Sequence, residues 1–207
     1  PLKNMLSLFS AVETCVCYYY SIFYNFDIFQ HLITVLKWIV EVMSKNDEQS
    51  LFEIACSIWL NIFHNSMLSN SQQPLIESFY PTLRRIFILR MPKSYQFNII
   101  IDEFDNETKE YQNIFPNDSL FSLVRDCLVF LCNFDPYDTL NAINELLENP
   151  QNLNVQTLNS ISWSIGSISS TIPIDIQNKA FPAIIRRLFS LCLVDNKEIR
   201  DQISCGA

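Results

Sequence analysis

The 207 residues are 49% hydrophobic and 13% aromatic with a formal charge of −8, which supplies material for a core and excludes a disordered tail. Two glycines are too few for the tight turns of a β-sandwich or for phosphate-cradling loops, so the composition points to an all-α fold with polar connections. A pI near 4.7 repels nucleic acid and anionic membrane and suits a basic protein partner.

No apolar run reaches the roughly 18 residues of a bilayer span: Ser21, Asn25 and Asp27 break the first candidate, and His31, Lys37 and Glu41 break the second. Farther on, apolar side chains recur at helical spacing. Ile28, Leu32, Val35, Leu36, Ile39 and Met43 form a stripe that stops at Ser44-Lys45-Asn46. Asn46 or Asp47 is placed to cap the next helix, whose face carries Phe52, Ala55, Ile58, Trp59, Ile62 and Phe63. Beyond the polar break at Ser69 to Gln73, a helix presents Leu75, Phe79, Leu83, Ile86 and Phe87, and Pro81, which lacks an N–H, should kink or restart it.

The pattern resumes with Leu120, Leu123, Val124, Cys127, Leu128 and Leu131, where Asp118 or Ser119 is placed to cap. Asp135-Pro136 marks the turn into Leu140, Ile143, Leu146 and Leu147. A helix from Val155 to Ser169 follows, with Gly166, the only interior glycine, on it. A missing Cβ there predicts close approach of a second helix. The last helix runs from about Asp175 through Ile184, Ile185, Leu188 and Leu191, and Pro182 should bend it. Helices of about 15 to 20 residues in antiparallel pairs repeat near 40 residues, the spacing of HEAT and armadillo arrays. Periodicity alone leaves both an α-solenoid and a helical bundle open.

Residues 94–116 interrupt this period with a connection far longer than the two to eight residues usual between helices. From Phe97 to Tyr111 a β-branched run, Ile99 to Ile101, meets an acidic tip and alternates back, which is a hairpin pattern with Asn106 at the turn. A solvated acidic loop would have the same composition.

Leu158-Asn159 with Trp163-Ser164-Ile165-Gly166-Ser167-Ile168-Ser169 resembles the Leu-Asn-x-x-x-Trp-x-Ile-Gly-Ser-Ile-Ser helix of CRM-type exportins, nuclear export receptors of the karyopherin superfamily. Phe52-Glu53-Ile54 with Cys56 and Trp59-Leu60-Asn61, Leu128 to Leu131 with Asp138-Thr139, and Leu188 to Cys192 with Asp195-Asn196-Lys197 are similar to further family segments in the same order. Before about Phe26 the similarity is weak. The resemblance implies that residues 1–207 are a piece of a HEAT-repeat solenoid with residues 94–116 as an inserted acidic hairpin, in keeping with a chain that starts on Pro1 rather than Met. It further implies a receptor that binds Ran-GTP, takes leucine-rich export signals through repeats outside this chain, meets nuclear pore proteins and shuttles between nucleus and cytoplasm. Asp102, Glu103, Asp105 and Glu107 fall where the family's acidic loop faces Ran, with Asn106 standing where the family has glycine and Phe104 adding an aromatic to the tip. A solenoid scaffold or adaptor without a transport role is the competing class.

No enzyme chemistry is expected. His31 and His64 are isolated on helix patterns and no metal spacing is present. The seven cysteines match no redox or nucleophile motif and read as reduced core thiols of an intracellular protein. Arg84, Arg85, Arg90 and Lys93, and likewise Arg186 and Arg187, read as solvated faces or ion pairs within a repeat. Trp38, Trp59 and Trp163 read as core anchors.

Overall fold

A computed structural model describes residues 2–18, 26–64, 73–92, 95–101, 107–113, 119–148 and 153–192, the two segments 95–101 and 107–113 in their backbone course. Its helices are α1 (Leu2–Tyr18), α2 (Phe26–Lys45), α3 (Gln49–His64), α4 (Gln73–Glu77), α5 (Tyr80–Leu89), α6 (Ser119–Phe134), α7 (Pro136–Glu148), α8 (Val155–Ile168) and α9 (Ile174–Cys192).

The packing sorts these helices into two layers. In one, α1 lies against α3, α3 against α6 and α6 against α8, while in the other α2 lies against α5, α5 against α7 and α7 against α9. Consecutive long helices alternate between the layers, so α2–α3 and α5–α6 are antiparallel pairs stacked side by side, with α7 against α5 and α6 and α8 against the same two helices. This is an all-α, HEAT-like solenoid, the outcome expected when each amphipathic pair can bury its apolar faces only against the next pair. Between α5 and α6, Tyr95–Ile101 (β1) and Glu107–Asn113 (β2) are extended and pair antiparallel, from Tyr95 opposite Asn113 to Ile101 opposite Glu107.

Local chemistry sets the helix ends. The turn Ser78-Phe79 separates α4 from α5, and Pro81 stands in the first turn of α5, where its missing N–H costs nothing. Proline therefore restarts the helix. Asn46 Oδ1 accepts the Glu48 N–H at 2.8 Å, an Asx turn that leads into α3. Asp135 Oδ1 accepts the Asp138 N–H at 3.0 Å at the head of α7. Asn154, extended at φ −120°, accepts the Thr157 N–H at 2.8 Å and caps α8.

α3 buries Leu51, Phe52, Ala55, Cys56, Ile58, Trp59, Ile62 and Phe63 because α1, α2 and α6 all pack on it. Around its C-terminal half the core is aromatic. Phe63 stacks on Phe130 of α6 at 4.4 Å, Tyr80 meets Phe134 edge-on at 5.0 Å, and Trp59 lies 5.3 Å from Phe79. Trp59 is fully buried and its Nε1–H has no hydrogen-bond partner; ring contacts are its surroundings. Trp38 and Trp163 are half-buried, joined to Phe9 and Phe121 by edge contacts at 5.3 and 5.8 Å.

Three expectations are corrected. Gly166 is exposed, and a Cβ built on it would meet nothing within 4 Å. The close approach on α8 is made instead by Ser160 and Ser164, whose hydroxyls lie 3.0 and 3.4 Å from the Met91 and Ile88 carbonyls. Second, Cys56, Cys127 and Cys132 are buried, but Cys15 and Cys17 are exposed on α1, because the buried stripe there is Phe9 and Val16. Third, Arg84 is buried rather than on a solvated face, and Arg84 and the exposed Arg85 both pair with α7, across the joint between repeats rather than within one.

Candidate partner-binding edge

The edge of the solenoid from which β1 departs is built where α2, α5 and α7 end and α3, α6 and α8 begin. α5 stops at Leu89 with Arg90 as its C-cap, and the chain passes through Met91, 2% exposed, and Pro92 toward β1. Three side chains fix this exit. Arg90 donates from Nη1 to the carbonyls of Met43 and Asn46 at 2.9 and 2.8 Å. Its guanidinium carbon lies 3.9 Å from the Phe52 ring centroid, a cation–π contact. Ser160 donates to the Met91 carbonyl at 3.0 Å, and Ser164, whose hydroxyl donates to the Ser160 carbonyl at 2.8 Å, lies 3.4 Å from that of Ile88.

Burial holds the Arg90 guanidinium below the ordinary arginine range, and Asp47 and Cys56 pull the other way. Arginine keeps its charge under such a shift because its starting value is so high. Arg90 thus presents a fixed, partly desolvated cation at the root of the β1–β2 segment.

Beside this root is a recess of about 850 Å³ whose walls include Met43, Phe52, Leu89, Arg90, Leu120 and Asn159. Among the described residues its ionisable walls are Asp47, Arg85 and Arg90, one carboxylate and two guanidiniums. Among the described residues no group of three or more His, Cys, Asp or Glu side chains could hold a metal ion. No described helix is long and apolar enough to cross a membrane. His31 and His64 are exposed.

Of the four acidic residues expected to face a partner, Asp102, Glu103 and Asp105 lie outside the described residues, and Glu107 opens β2 with its backbone opposite Ile101. Lys93 also lies outside them. The sequence assigns Arg84 and Arg90 to solvated faces or ion pairs within a repeat and gives Ser160 and Ser164 no role at the joint. A signal for Arg84 existed: it follows Phe79 and Leu83 and precedes Phe87 in one apolar stripe, where a charge needs an internal partner.

The profile of the family described as CRM1 / Exportin repeat 3 matches residues 149–198, the stretch that holds α8 and α9. Exportin-1 of Dictyostelium discoideum is 26% identical over 183 residues, covering 82% of this chain and 17% of its own length. Exportin-1 of Drosophila melanogaster is 25% identical over 171 residues, covering 73% and 16%. Protein EXPORTIN 1A of Arabidopsis thaliana is 32% identical over 127 residues, covering 56% and 12%. The chain therefore spans less than a fifth of the length of these relatives.

Proposed function

A CRM1-type exportin segment is what the family profile and the Exportin-1 relatives support, and from that premise we propose that the chain serves in a nuclear export receptor. The receptor binds Ran-GTP, carries proteins with leucine-rich export signals held by repeats outside this chain, contacts nuclear pore proteins and shuttles between nucleus and cytoplasm. Its work is binding and bending, with no catalytic step.

The observation that carries this reading is the placement of β1–β2 inside the α5–α6 pair, one repeat ahead of the helix that bears Trp163 to Ser169. An acidic insertion leaving a packed scaffold has two physical uses, to stay solvated or to dock on a basic surface. Residues 94–116 act as an inserted acidic hairpin that docks on Ran, with Asp102, Glu103, Asp105 and Glu107 as the facing charges. Linkage supplies the mechanism: Ran and cargo each favour one curvature of the solenoid, so each strengthens binding of the other by the same factor.

The test is capture of the complete receptor on immobilised Ran loaded with GTP or with GDP, with and without an export-signal peptide. Capture that needs GTP and is enhanced by the peptide is expected. Equal capture by both nucleotide forms would assign the chain to a scaffold without a transport role.

A further inference from the structure

The carbonyls at the C-terminus of a helix lack partners within that helix and attract cations and donors. In this solenoid those donors come from the next repeat. α2 ends at Lys45, and its Met43 carbonyl, together with that of Asn46 just beyond, is taken by Arg90 at the end of α5. α5 ends at Leu89, and the Met91 carbonyl just beyond is taken by Ser160 of α8 at 3.0 Å, while the Ser164 hydroxyl, bonded at 2.8 Å to the Ser160 carbonyl, lies 3.4 Å from that of Ile88. α7 ends at Glu148, and its Leu147 carbonyl accepts from Arg187 Nε of α9 at 3.2 Å. Three successive helices of one layer thus share one arrangement, and in each the donor lies later in the chain.

The sites are shielded. Met43, Ile88, Met91 and Leu147 are each at most 2% exposed, so a carbonyl that loses its donor there is poorly placed to recover one from water. These caps are therefore interface terms of the kind that decide whether stacked repeats open singly or together.

We propose that the solenoid is cooperative with a direction: each of α2, α5 and α7 has its C-terminal turn completed by the repeat that follows, so stability passes backward along the chain. Loosening a later repeat uncaps the helix before it. Loosening an earlier repeat leaves the later helix its own cap. The β1–β2 segment leaves from the middle member of this chain of caps, and its root at Met91 is secured by α8.

The experiment is hydrogen exchange with mass spectrometry on the complete protein that carries this segment, comparing wild type with Arg90→Gln, Arg187→Gln and the milder Ser160→Ala/Ser164→Ala pair. Arg90→Gln is expected to accelerate exchange at residues 42–46 of α2 by about tenfold, the effect of a lost cap, with the helical amides of α5 unchanged. Arg187→Gln is expected to do the same at residues 145–148 of α7 with α9 unchanged. The serine pair should speed exchange at residues 88–91 alone, and Arg90→Lys, which keeps a donor, should restore most of the protection lost in Arg90→Gln. Acceleration confined to the helix that carries the substitution, equal acceleration on both sides of the joint, or no change at the earlier helix would overturn the proposal.

Discussion

Arg84 reaches across the joint between α5 and α7 to Asp138, and the two ends of this ion pair sit in different surroundings: the arginine side chain is 3% exposed, the aspartate 44%. The guanidinium uses its whole fork, donating Nη1 to Asp138, Nε to the Thr139 hydroxyl at 3.1 Å and Nη2 to the Leu131 carbonyl at 3.1 Å. Arg84→Met removes the charge and fills the space, leaving mainly the Leu131 carbonyl and Thr139 without that donor, so a loss of about 1–3 kcal/mol is expected. Asp138→Ala leaves a buried cation behind. Its cost should be larger, toward the roughly 3–5 kcal/mol of a broken buried pair but reduced because water reaches the aspartate side. Urea melts of the two variants check the order, and a smaller loss for Asp138→Ala than for Arg84→Met would show that hydrogen bonds rather than charge hold the joint.

Gly166→Ala should stabilise the protein. The glycine sits inside α8 with open space where a Cβ would go, so the substitution gains helix propensity of about 1 kcal/mol without a clash. A rise in the melting midpoint of a few degrees is the expected result. Unchanged or lowered stability would mean that the surface beside Gly166 is occupied in solution.

These residues show what was legible in the sequence and what was not. Helix spacing marked the apolar stripes because burial against a neighbour imposes the 3.6-residue period directly, and α3, α6 and α7 fall where their stripes placed them. The same rule applies to Met5, Phe9, Val12 and Val16 of α1, which form a stripe of the same spacing. Which helix a stripe faces is a property of three dimensions. Gly166 therefore looked like a contact point by residue type, while the close contact lay with Ser160 and Ser164, whose hydroxyls give no periodic signal. Arg84 and Arg90 were read by their charge, yet their bonds go to residues 44 to 55 positions away. Asp102, Glu103, Asp105 and Glu107 announce themselves by composition, but composition carries no information about any surface they would meet.

Stability should fall in alkaline solution. Burial pushes the Cys56 thiol well above its ordinary value, Cys127 adding to that and Arg90 opposing it. Cys127 is likewise raised, by burial and then by Asp126, and Tyr80 is pushed up to about 12 by burial and then by Glu77. For groups whose folded value is raised, the folded state holds the proton longer than the unfolded state. Their contribution is complete below the unfolded values, near 8.5 for a thiol and 10 for tyrosine, and is lost as pH climbs beyond them. Urea midpoints should accordingly decline from about pH 8.5 upward, and Cys127→Ala should flatten the first part of the decline. A wild-type profile that is level from pH 8 to pH 11 would contradict this. In the native protein iodoacetamide should reach the exposed Cys15 and Cys17 and spare the buried Cys56 and Cys127 until the chain unfolds.

Replacing Asp102, Glu103, Asp105 and Glu107 together with alanine separates a docking hairpin from a passive one. A two-stranded ribbon has no core of its own and contributes little to the stability of the body that carries it. The melting curve of the complete receptor should therefore be nearly unchanged by the fourfold substitution. If the acidic residues face a basic surface of Ran, their loss should weaken Ran-GTP binding most at low ionic strength, where charges a Debye length apart still attract, and should flatten the salt dependence of the affinity. The reduction should appear mainly in the association rate, because exposed charges steer encounter more than they hold a formed complex. Binding measured from low to physiological salt decides the matter: equal Ran-GTP affinity and equal salt slope for wild type and variant would leave residues 94–116 without a role in Ran recognition.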